Sequence, residues 1–84
     1  KLGASPLSNA ELIAIILGTG SKKENVLNLA NRILTKYNLK KLSKTSVNEL
    51  KNIFGINNAK ACKIIAAFEL GRRSLMHNNL RKIN

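Results

Sequence analysis

Apolar positions along this chain recur at helical spacing, and no segment alternates long enough to read as a strand. Leu12, Ile13, Ile16 and Leu17 form one face, and Val26, Leu29, Ala30, Ile33 and Tyr37 a second. Ala61, Ile64, Ile65 and Phe68 form a third. Start signals stand ahead of the helices. Ser8 with Glu11, Ser21 with Glu24 and Ser46 with Glu49 each have the spacing of a capping box, in which the hydroxyl and the carboxylate satisfy otherwise orphaned N–H groups. The pattern predicts helices over about 9–17, 22–37, 47–53 and 58–76, with Leu39 and Leu42 in a short helical turn between the second and third. From Met76 onward the periodicity fades, so 1–76 reads as the domain and 77–84 as a linker. The expected fold is all-α, a small bundle of four to five helices.

The segment LKNIFGINNAKACKII, Leu50 to Ile65, places two helices on either side of a very short turn. Leu50, Ile53, Gly55, Ile56, Ala61 and Ile64 resemble the helix-hairpin-helix pattern. Gly55 lets the chain reverse, Ile56 plugs the space between the helices, and Ala61 is small enough for close approach. Backbone N–H groups at the start of the last helix would face outward, where the helix dipole favours an anion. Gly55, Ile56, Asn57 and Asn58, with Lys60 and Lys63 one turn further on and Lys51 before the hairpin, are the candidate phosphate-binding residues. Asn57 stands where glycine is usual in the motif. Asparagine tolerates positive φ better than other side chains, so Asn57, and likewise Asn38 after Tyr37, is expected in a left-handed turn. The competing reading is a hairpin that serves packing alone. A fainter second copy, Ile13, Ile16, Gly18, Gly20 and Leu27, lies 37 residues earlier. A degenerate tandem pair and a chance alignment both fit it.

Charge sharpens the picture. With 15 lysines and arginines against 4 acids, the 84-residue chain carries a formal charge of +11, which favours polyanionic partners. A second basic cluster, Lys36, Lys40, Lys41 and Lys44, is either a further phosphate-contacting surface or a solvated loop. Arg72 and Arg73 suit the negative end of the last helix. Tyr37, Phe54 and Phe68 all fit core positions, which argues against a base-stacking platform. Cys62 reads as a buried or half-buried helix residue, and a single cysteine rules out an internal disulfide. Three of the glutamates are accounted for as caps, and His77 stands alone. No catalytic residue, metal ligand, cofactor or small-molecule substrate is expected, and no run is long enough to span a membrane.

With these residues in view, the chain resembles the N-terminal domain of the RadC (UPF0758) family. The resemblance rests on PLSNAELIAIILGTGSKKENVLNLANRIL (Pro6 to Leu34) and SVNELKNIFGINNAKACKIIAAFELGRR (Ser46 to Arg73), and covers about residues 1–76. It implies a cytoplasmic bacterial setting, an association with DNA repair, and a following JAB/MPN-type domain with a zinc site whose ligands lie outside this chain. The expected function is thus a non-enzymatic, sequence-independent DNA-binding module, with DNA and the protein's own C-terminal domain as partners. The alternative is a protein-interaction or regulatory scaffold for that domain.

Overall fold

Five helices follow one another: α1 (Asn9–Leu17), α2 (Val26–Lys36), α3 (Leu39–Leu42), α4 (Val47–Lys51) and α5 (Asn58–Ile83). The computed structural model describes residues 6–83, with side chains described as far as Met76, and no strand occurs among the described residues. α1 packs on α2 and α5, and α4 packs on α5. The core between them contains Ile13 and Leu17 from α1, Leu29, Ala30 and Ile33 from α2, Leu42 from α3, Leu50 from α4, and Ala61 and Ile64 from α5. Ile53 and Ile56 close it from the α4–α5 turn. No helix among the described residues is long and apolar enough to cross a membrane.

Two of the three expected capping boxes form. Ser8 Oγ accepts from the Glu11 N–H at 3.1 Å while Glu11 Oε1 accepts from the Ser8 N–H at 2.8 Å. Ser46 and Glu49 repeat this at the start of α4. The third does not form. α2 begins at Val26 rather than near Lys22, capped by the Asn25 side chain, which accepts from the Asn28 N–H at 2.8 Å. Ser21 instead closes a turn with the Glu24 carbonyl at 2.9 Å. The Glu24 carboxylate leaves for Arg32, a bidentate partner one and a half turns into α2 that outcompetes a single cap bond.

The two asparagines expected in left-handed turns are also caps. Asn38 has φ −68° and accepts from the Lys41 N–H at 2.9 Å, starting α3, while Tyr37 ends α2 in an extended conformation. Only Gly18 and Gly55 take positive φ among the described residues, at 87° and 95°. A side-chain carboxamide that can reach a helix N–H gains a hydrogen bond in ordinary extended backbone and avoids left-handed strain.

Four further expectations change. α5 runs to Ile83, so the segment read as a linker from residue 77 is helical in backbone that far, and Arg72 and Arg73 lie well inside the helix rather than at its end. They are held instead by Glu69. Cys62 is exposed. Phe54 is 81% exposed, because α4 stops at Lys51 and the following turn gives the inward positions to Ile53 and Ile56. Tyr37 and Phe68 do pack against the core.

Candidate functional site

The hairpin geometry follows from its sequence. Ile56 is 5% exposed and Ala61 fully buried, so the plug and the close approach between α4 and α5 are both present. The Ile56 N–H turns back to the Ile53 carbonyl at 3.0 Å and is not free for an anion. Asn57 folds its side chain over the first turn of α5, with Oδ1 accepting from the Lys60 N–H at 2.9 Å. The Ala61 N–H bonds the Asn57 carbonyl at 3.0 Å. Among the described residues, the N–H groups of Asn58 and Ala59 are left open at the positive end of a 26-residue helix. Of the hairpin candidates, then, Asn57 covers one donor and Asn58 offers another. Lys60 stands half-buried beside them.

A second structural relation joins this hairpin to the one between α1 and α2. Lys63 reaches from α5 to the Leu17 carbonyl, Nζ to oxygen 3.3 Å, just before Gly18. Arg32 reaches from α2 to the Phe54 carbonyl, just before Gly55. Each positive-φ glycine is thus preceded by a carbonyl held by a cation from the second helix of the other hairpin. The helix caps match as well: Asn25 opens α2 and Asn57 opens α5. Asn25, and not Gly20, is therefore the counterpart of Asn57, because the first hairpin contains extra turn residues. Lys63 lies in the second turn of α5, and its ammonium is engaged in closing α1.

The four acids are all committed locally. Glu11 and Glu49 serve caps, Glu24 is ion-paired to Arg32 at 2.8 Å, and Glu69 holds both Arg72 and Arg73. Hydrogen bonds from Arg72, then Arg73, lower the Glu69 carboxyl to about 2. The backbone and side chain of Ser8 lower Glu11, and hydrogen bonding to Arg32 lowers Glu24. No lysine among the described residues has a carboxylate partner. Lys22 and Lys23 flank the first hairpin, and Lys51, Lys60 and Lys63 the second.

The expected secondary patch divides. Lys36 lines a groove with Arg32, Asn52 and Phe54, next to the second hairpin. Lys44 lies in a different groove with Phe68, Glu69 and Arg72, on the flank of α5. Lys40 and Lys41 are exposed on α3. Two residues at the hairpin were not among the candidate site residues, Arg32, which the sequence reading did not single out, and Phe54, which it assigned to the core. Phe54 is exposed because α4 ends three residues before it, at Lys51, short of the predicted 47–53; nothing local marks Arg32, whose partners are 8 and 22 residues away. No group of three or more His, Cys, Asp or Glu side chains that could hold a metal occurs among the described residues.

Comparison with known proteins places the chain. Residues 1–62 match the family described as UPF0758 N-terminal. A UPF0758 protein of Methanosarcina acetivorans is 54% identical over 73 residues, covering 87% of this chain and 32% of the relative. One from Pelodictyon phaeoclathratiforme is 46% identical over 82 residues, 98% of this chain and 37% of the relative. Another, from Bacillus licheniformis, is 54% identical over 72 residues, 84% of this chain and 32% of the relative. The chain therefore spans about a third of the length of these relatives. No solved structure matches it. On the matched span and these identities, the chain belongs to UPF0758, the RadC family, and supplies its N-terminal domain.

Proposed function

We propose that this chain is a non-enzymatic, sequence-independent DNA-binding module. It contacts phosphates through the open N–H groups of Asn58 and Ala59 and through Lys60, with the lysines of both hairpins adding charge. The observation that carries this reading is the commitment of every carboxylate to a cap or an arginine, which leaves the lysines around two adjoining hairpins without counter-charge. A phosphate backbone supplies that counter-charge and releases condensed cations when it does so. The proposed contacts are to phosphates, which position the chain without selecting sequence. In the longer protein, the module brings the JAB/MPN-type domain implied by the RadC resemblance to DNA, in keeping with a repair role.

The test is a titration with duplex DNA at two salt concentrations. Affinity is expected at micromolar Kd or weaker near physiological salt, falling steeply as salt rises. Lys60→Ala should flatten the salt dependence by about one unit. Binding that ignores salt, or nanomolar preference for one sequence, refutes the proposal. A second reading, a scaffold docking on the remainder of the protein, is favoured by the distal half of α5. There Leu70, Leu75 and Met76 are exposed. Docking through that side would be much less sensitive to salt.

A further inference from the structure

The aromatic ring that the sequence assigns to the core stands out in solvent, and its setting is chemically specific. Phe54 lies at the tip between α4 and α5, immediately before Gly55, and is 81% exposed. Its backbone is anchored, since the Arg32 guanidinium donates to the Phe54 carbonyl while also bonding both oxygens of Glu24. The ring therefore projects from a fixed base. The open groove beside it, about 410 Å³, is walled by Arg32, Thr35, Lys36, Asn52 and Ile53. No carboxylate lines it, and Glu24, held by Arg32 at 2.8 Å, is committed to that ion pair. Lys51, exposed at the last position of α4, stands three residues before the ring.

We propose that Phe54 and the Lys36–Arg32 groove form a stacking site for an unpaired base, so that the chain prefers DNA carrying a single-stranded gap over continuous duplex. The inference rests on the DNA-binding reading above and deepens it by naming the structure preferred. An aromatic face gains by stacking on any base, and adjacent cations hold the strand's phosphates, which is the combination used for single strands. Base faces in continuous duplex are covered by their neighbours, so one projecting ring finds a partner only where stacking is interrupted. The groove walls carry Lys36, which has no carboxylate partner, beside the ion-paired Arg32 and no acid, and that charge favours a nucleic acid over an apolar protein segment.

The experiment measures binding of the full chain to a duplex and to the same duplex with a short gap, using a fluorescent base analogue in the gap, at one low salt concentration. The parent should favour the gapped DNA and change the analogue's fluorescence. Phe54→Ala should reduce affinity for gapped DNA about fivefold or more, the effect of losing one base–aromatic stack. Its duplex affinity and melting temperature should stay as in the parent, because the ring is exposed. Phe54→Tyr should keep the preference and Phe54→Leu should lose it. Equal binding of both DNAs by the parent overturns the stacking site and leaves the module reading standing. A preference that survives in Phe54→Ala does the same. Full retention by Phe54→Leu overturns it in favour of an apolar contact, the signature of a protein partner. No binding to either DNA refutes the module reading itself, and the stacking site with it.

Discussion

Substituting Asn57 distinguishes two accounts of the hairpin through the order of stabilities rather than a single value. In the structure Asn57 caps α5, its Oδ1 2.9 Å from the Lys60 nitrogen, and its φ is not positive. An N-cap asparagine replaced by alanine loses about 1 kcal/mol, while glycine costs only a few tenths and serine or aspartate almost nothing. In a domain of this size about 1 kcal/mol corresponds to about 4–8 °C in Tm. The expected order is therefore Asn, Ser and Asp together, then Gly slightly lower, then Ala lowest, by thermal or urea unfolding. A left-handed Asn57 would give another order, with Gly more stable than the parent by about 1 kcal/mol and Ser destabilised. That second order would refute the capping account. DNA titration of the same variants adds an independent reading. Asn57→Gly uncovers the Lys60 N–H and should bind DNA more tightly despite its slightly lower Tm. Asn57→Asp keeps the cap but sets a negative charge against the phosphate and should bind more weakly.

Other outcomes follow from the same geometry. Ile56→Asp, at a position 5% exposed between α4 and α5, should cost about 3–5 kcal/mol, visible as a large loss of urea midpoint; a variant that unfolds like the parent would show that Ile56 is not the plug. Gly20→Ala would drive Cβ into the Glu24 carbonyl oxygen and to 2.7 Å from the Val26 nitrogen, both backbone. It should lower stability by about 1–3 kcal/mol, as overpacking does, even though Gly20 does not have positive φ. Acid should destabilise the fold in one direction only. Glu69, Glu24 and Glu11 are all held below their ordinary value of 4.5, so their contribution is fully present above that pH. It is lost as pH falls through the folded-state values, about 2 for Glu69, and Tm should therefore decline below about pH 4.5. Unchanged Tm between pH 5 and 2.5 would remove these ion pairs and caps from the stability account.

Helix identity and the inward faces were legible in the sequence because both are local. Helical spacing places Ile13 and Leu17, Leu29 and Ile33, or Ala61 and Ile64 on one side whatever they later meet. A capping box closes within four residues, which is why those at Ser8 and Ser46 could be read directly. The hairpin was legible for the same reason, since glycine, plug and small residue all lie within a dozen positions. Tertiary structure decided what sequence distance hides. The third apparent box failed because Glu24 had a stronger partner in Arg32, and that partner became visible only when α2 folded back beside the second hairpin. Asn57 and Asn38 could equally be left-handed turns or caps by residue type, and the position of the following helix selected the cap. Lys63 and Arg32 bond the carbonyls ahead of Gly18 and Gly55 across 46 and 22 residues, contacts that no local pattern encodes. The basic residues divided for the same reason: spacing along the chain grouped Lys36 with Lys44, whereas packing put one beside Phe54 and the other on the flank of α5. Short-range hydrogen bonds and periodicity fix the elements, and long-range hydrogen bonds from cations to backbone carbonyls, with packing, determine which surfaces they share.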